Sequence, residues 1–290
     1  MILRIFEIVA PIFFVAFIGF LYARFKKPSM DSANAANIDV FVPFLILGVF
    51  AGQPIEISEY GNLILLVALL TLIPGGLSLA FCRLINVKWK TLAPPMMFKN
   101  SGNLGIPLLL LTFGEDALPA ILMMFIVENT LHFSVGVWIL RPQAHVLSFL
   151  KQPMMLATIG GITLSLMHAQ LPTWLVTSFE LLGDIAVPLM LFALGVRLVD
   201  LDLSGWRLGL IGAVLSPLLG LIAVAPFMWF IDLPDTQWKM VWIFAALPPA
   251  VLNYLIAERY QQEPDKVASI VLFANAGSVF IIPAVLFVIL

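Results

Sequence analysis

Apolar runs long enough to cross a bilayer follow one another along almost the whole chain, and no polar stretch between them exceeds about a dozen residues. A helix rises about 1.5 Å per residue, so roughly 20 apolar residues cross the ~30 Å hydrocarbon core once. Ten candidate spans can be drawn, at 3–23, 37–52, 62–82, 92–113, 117–140, 153–169, 174–196, 206–230, 238–257 and 267–290. The second and sixth are short, and the fourth and ninth are interrupted. With 61% hydrophobic and 11% charged residues and a mean hydropathy of +1.05, a soluble globular fold is excluded. The expectation is an all-α integral membrane protein of ten transmembrane helices, partnered by the lipid bilayer. Neither the net charge of −2 nor any basic run suggests nucleic acid.

The chain also reads twice. Asp39-x-x-x-Pro43 returns as Asp184-x-x-x-Pro188, displaced by 145 residues in a chain of 290. Pro11 and Gly19 in the first span are echoed by Pro153 and Gly161, displaced by 142. Proline-bearing apolar segments at corresponding places in two halves point to a transporter built from repeats. Five spans per half is an odd number, so the second half must enter the membrane from the opposite side. The predicted organisation is a first five-helix repeat at 1–140, a short cytoplasmic linker at 141–152, and a second, inverted repeat at 153–290.

Loop charges set the orientation. One set of loops holds Arg24, Lys26, Lys27, Arg83, Lys88, Lys90, Arg141, Lys151, Arg197, Arg207, Arg259 and Lys266, while the other side has only Arg4 and Lys239. The positive-inside rule then places both termini outside the cytoplasm, in a multi-pass protein of the cytoplasmic membrane. The first span carries Glu7 and Pro11 and has no Ala-x-Ala site before Arg24, unlike a cleavable signal. The lone Cys82 reads as a packing residue.

The fourth span contains Lys99-Asn-Ser-Gly-Asn-Leu-Gly-Ile-Pro107, downstream of Pro94 and Pro95. Non-helical backbone at that depth survives only when buried in protein or lining a cavity. Gly102, Gly105 and Pro107 oppose a continuous helix, so two half-helices separated by an unwound stretch are expected, with Asn100, Ser101 and Asn103 facing a cavity. The ninth span holds the counterpart, Pro248 and Pro249 followed by Asn253. Where the two broken spans cross, half-helix N-termini carry about half a positive charge each and offer free N–H groups, a setting that favours an anion.

Those residues resemble a known family. Asn100-Ser-Gly-Asn-Leu-Gly-Ile-Pro-Leu108 is similar to the fourth-span signature of the auxin efflux carrier family, which includes plant auxin exporters and bacterial malonate- or malate-permease-like proteins. Pro248-Pro-Ala-Val-Leu-Asn-Tyr-Leu-Ile-Ala-Glu-Arg-Tyr260 is similar to its ninth-span pattern. The resemblance implies inverted repeats with a scaffold part and a transport part. It also implies an organic anion held near Pro107 and Pro248 or Pro249, with Asn100 as its polar contact. About a dozen residues join Leu140 to Pro153, so the chain is like the compact prokaryotic members rather than exporters with long central loops. The architecture also resembles the sodium–bile acid symporters, and substrate class does not follow from fold.

An ionised group at the bilayer centre costs about 2.5–3.5 kcal/mol and needs a partner or a wet cavity. Glu128 lies mid-span in the fifth span, with His132 one turn on, and Asn275 lies at matching depth in the tenth. These residues, with Asp184 as second choice, are the candidates for coupling to H⁺ or Na⁺; the bland reading of Glu128 is a neutral, hydrogen-bonded carboxyl. Asp39 reads as a helix cap. Lys99 reads as a snorkelling side chain rather than a counter-charge for a bound anion.

Catalysis finds little support. Glu128 and His132 have metal-ligand spacing without further ligands in sight, His145 falling in a loop and His168 near a span end. Ser101 lacks a paired base and an oxyanion hole. The chain therefore reads as a secondary carrier of a small carboxylate that needs no cofactor beyond a coupling ion. A sodium-coupled carrier of the bile-acid symporter type, or a channel or sensor of the same fold, is the alternative. Sequence leaves monomer and homodimer open.

Overall fold

A backbone in hydrocarbon must satisfy its own N–H and C=O groups, and the apolar runs accordingly become helices in a computed structural model that describes residues 1–52, 56–143, 150–200 and 205–290. In chain order these are α1 (Ile2–Lys26), α2 (Asp31–Ala51), α3 (Ile57–Leu84), α4 (Trp89–Met97), α5 (Ser101–Phe113), α6 (Glu115–Leu140), α7 (Pro153–Leu166), α8 (Thr173–Arg197), α9 (Trp206–Trp229), α10 (Asp235–Ala245), α11 (Leu252–Arg259) and α12 (Pro264–Ile289). Seven of them, α1, α2, α3, α6, α8, α9 and α12, are long and apolar enough to cross a membrane. The fourth and ninth expected spans appear as the fragments α4/α5 and α10/α11, and the sixth as the short α7. Residues 144–149 of the expected linker, with His145, lie outside the described residues.

Large apolar side chains cover the outside of the bundle, among them Phe6, Phe14, Trp138, Trp174 and Phe280. Lipid offers no hydrophobic drive for helix association, so contacts rely on close packing at small residues. α1 lies against α8 through Gly19 and Gly195; a Cβ on Gly195 would sit 1.7 Å from the Ala16 carbonyl oxygen, and one on Gly19 2.2 Å from that of Phe192. α2 packs on α7 and α8. A second group gathers α3, α4, α9 and α12, with α10 on α9 and α11 on α12. Here Gly75 of α3 admits the Met97 side chain, and Gly220 of α9 admits the Ala245 carbonyl.

Two expectations change. The break in the fourth span falls at Phe98–Asn100, earlier than the run ending at Pro107 suggests, and Ser101–Gly105 is a wide helical turn that leads into Ile106–Phe113. Pro107 is tolerated because it is the second residue of the regular stretch Ile106–Phe113, whose first turn needs no N–H from it. Asp39 caps nothing: its helix begins at Asp31, and the exposed Asp39 lies inside the wide turn Asn37–Phe41.

Candidate functional site

Prolines shape the crossing. Pro248 and Pro249 have no N–H to donate, so residues 246–251 leave the helix and their carbonyls need donors from elsewhere. The break in the fourth span supplies them. Lys99 and Pro249 pair as an antiparallel bridge, in which the Asn100 N–H donates to the Pro248 carbonyl at 2.7 Å and the Ala250 N–H to the Phe98 carbonyl at 2.9 Å. Asn275 of α12 completes the satisfaction, donating from Nδ2 to the carbonyls of Pro249 at 2.9 Å and Val271 at 2.8 Å. Its Oδ1 accepts from Asn100 Nδ2 at 2.7 Å. Asn253 Nδ2 likewise donates to the carbonyls of Phe98 and Ala250, each at 2.9 Å.

A lysine and a glutamate are sealed into this centre. Lys99 is 1% exposed, and its Nζ donates to the carbonyl and the hydroxyl of Ser216, both at 2.8 Å. It does not snorkel: the extended backbone at the break aims it at α9. Glu128 is also 1% exposed, and its Oε2 accepts from Ser101 Oγ at 2.6 Å and from Asn129 Nδ2 at 3.3 Å. Its Oε1 has no hydrogen-bond partner, with His132 Nδ1 4.0 Å from it. The His132 ring stacks on Phe98 at 4.1 Å, with planes 5° apart, in space left by Gly136. Asn253 faces the imidazole from α11. Among the described residues, Lys99 and Glu128 are the buried carriers of formal charge, and they attract one another across a region from which water is excluded.

Most of the residues singled out by sequence therefore meet here: Asn100, Ser101, Gly105, Pro107, Pro248, Pro249, Asn253, Glu128, His132 and Asn275. They do not line an open cavity as expected. Asn100 and Ser101 are each 2% exposed and are spent on contacts within the protein. Gly105 is closed over by Leu247, and Pro107 is buried in the first turns of α5. Gly102 and Asn103 are the half-open positions; Gly102 lies against Phe125 and Met190, and the Asn103 side chain makes no hydrogen bond. Asp184 is not brought to the crossing. It is exposed and lines a cavity of 410 Å³ between α2, the start of α6 and α8, together with Glu115 and Glu180.

Sequence reasoning missed Ser216, the partner of Lys99. The available signal was a hydroxyl beside Pro217 in an apolar span, displaced by 145 residues from the buried Thr71 of α3. Phe98, the stacking partner of His132, had no signal among so many phenylalanines.

A family model described as membrane transport protein matches residues 4–286. The chain belongs to that family. It is the auxin efflux carrier family that the Asn100–Leu108 signature resembles. A relative from Rhizobium meliloti (strain 1021), described as a "Putative malonate transporter", is 24% identical over a 309-residue alignment covering 97% of this chain and 95% of the relative. This member of the membrane transport protein family is thus a multi-pass membrane transporter, not an enzyme.

Proposed function

We propose that the protein is a secondary active transporter of a small organic anion, a carboxylate such as malonate, working by alternating access in the cytoplasmic membrane. The observation that carries the reading is the crossing itself: the N-terminal ends of α5 and α11 converge beside a buried ammonium, at a main-chain joint of two broken helices. Helix N-termini favour anions. The Rhizobium relative supports a dicarboxylate as the first substrate to try. In this reading the substrate carboxylate enters at the half-open start of α5, taken by the free Asn103 amide and the N–H groups near Gly102. Asn100, Ser101, Gly105, Pro107, Pro248, Pro249 and Asn253 form the closed wall behind it, and Glu128, His132 and Asn275 couple an ion.

Packing supports ten spans in two inverted halves, 1–140 and 153–290, and the loop charges support both termini outside. Exchanging each span for the one five places along turns the α1–α8 contact into the α7–α2 contact. It turns α3 with α6 into α9 with α12, and α3 with α4 into α9 with α10. The α3–α9 pair maps onto itself. Gly75 and Gly220, displaced by 145 residues, sit where each half's third span touches its broken one.

Uptake of radiolabelled malonate and other mono- and dicarboxylates into proteoliposomes tests the reading. Asn103→Ala is expected to keep the fold, since its amide holds nothing in the protein, and to lower uptake at least about tenfold, the effect of losing ~1.4 kcal/mol of charge-assisted hydrogen bonding. Uptake equal to that of the wild type would remove Asn103 from the site. Steady single-channel currents would replace the carrier by a channel.

A further inference from the structure

We propose that binding the anion takes up one proton onto Glu128, so that substrate and H⁺ travel together and Na⁺ has no part. The inference rests on the reading above, that a carboxylate binds at the crossing.

The start of α5 is already occupied by a carboxylate, and it is the protein's own. Ser101, the first residue of α5, donates to Glu128 Oε2 at 2.6 Å. The positive ingredients at this point are the N-terminal end of α5 and the ammonium of Lys99, and in the sealed state Glu128 balances them. A substrate carboxylate arriving at Gly102 and Asn103 would add a second negative charge within a few residues of the first. Two like charges sharing one water-excluded site are relieved when one of them is protonated.

Glu128 is built to be that one. Its Oε1 lacks a hydrogen-bond partner while the side chain is 1% exposed, so an added proton meets no competing donor there. Oε2 keeps the Ser101 contact in either state, because the serine hydroxyl donates to it. The balance is simple: the Glu128 carboxylate and one H⁺ from the side of entry give the carboxylic acid as the anion enters, and both leave together on the other side.

The same contacts argue against a metal cation. The groups facing the carboxylate donate: the Ser101 hydroxyl, the Asn129 amide and the Lys99 backbone N–H. Ser216, whose carbonyl and hydroxyl could ligate a cation, is held by Lys99. The titratable and charged groups facing Glu128 are His132 from its own helix and Lys99 from the crossing. Asp31 and Asp39 of α2, Glu59 and Arg83 of α3, Glu258 and Arg259 of α11, and Glu115 and Asp116 of α6 itself are all exposed.

Calorimetric titration of the purified protein with malonate, in two buffers of different ionisation enthalpy and at alkaline pH where both malonate and Glu128 of the empty protein are ionised, counts the protons. The expected count is about one proton taken up per malonate, with Kd weakening about tenfold per pH unit once Glu128 ionises in the empty protein, and no change when sodium chloride replaces choline chloride. Glu128→Gln is expected to bind with an affinity independent of pH and to take up no proton. Malonate binding with a count near zero, or binding that requires Na⁺, overturns the proposal while leaving the carrier reading intact. No binding of any mono- or dicarboxylate at any pH overturns both. If Glu128→Gln does not fold, the count in Lys99→Met, where no ammonium can titrate, decides: about one proton supports Glu128 and none overturns it.

Discussion

The ammonium of Lys99 is held by a single residue, Ser216, through its carbonyl and hydroxyl oxygens at 2.8 Å each. A buried charge with so little local compensation is costly, and replacing it by an apolar side chain of similar length removes that cost. Lys99→Met is therefore expected to keep or raise the melting temperature in detergent. The same variant should lower carboxylate uptake at least about tenfold, because the positive ingredient of the crossing is gone. Thermal unfolding and proteoliposome uptake on one preparation check both; a stable variant that transports normally would make Lys99 a structural residue.

Asn275 touches both broken spans. Asn275→Ala removes the donor to the Pro249 carbonyl and strands the Asn100 amide, so it should destabilise by about 2–3 kcal/mol. Asn100→Ala costs less, about 1 kcal/mol, since Asn275 keeps its two backbone contacts. The double variant should cost less than the two summed, as expected for residues in direct contact. Unfolding midpoints of the four proteins measure the coupling.

Gly195→Ala would drive a methyl into the Ala16 carbonyl, which is backbone and has no rotamer to yield. A loss of about 1–3 kcal/mol is expected. Gly76→Ala is the control: it lies in the same kind of helix with nothing within 4 Å of the new methyl, and should be neutral or stabilising by up to about 1 kcal/mol.

At the start of α12, hydrogen bonds from Lys266 at 2.7 Å and from Thr91 hold the Glu263 carboxyl below its usual range. A depressed carboxylate contributes stability that is present above its ordinary value of 4.5 and is lost as pH falls through the lowered one. Glu263→Gln should thus destabilise by about 1 kcal/mol at neutral pH, with the gap closing towards strongly acid pH. A gap that stays constant down to strongly acid pH would mean that the charge of the Glu263 carboxylate carries nothing.

How far the site could be read in advance depended on what each residue type can do. Proline and glycine announce a break wherever they fall, so the interrupted fourth and ninth spans were legible. The position of the break was not, because Pro107 is equally at home just inside a helix start. Glu128 and Asn275 were legible as polar groups at mid-span, where each must find a partner. Lys99 was misjudged because its length permits either snorkelling or burial. Only the extended backbone at Phe98, set by pairing with residues far along the chain, chooses burial. Asp184 shows the reverse failure: depth counted along a span does not say which face of the helix the carboxylate takes.

The main-chain exchange between Phe98, Asn100, Pro248 and Ala250 works as a rivet. None of the four fragment ends it joins can swing away alone without stranding carbonyls that prolines cannot re-pair. In the carrier proposed above, α4, α5, α10 and α11 would therefore move together, with the α3, α9 and α12 on which they pack, past the α1 and α8 that α5 touches.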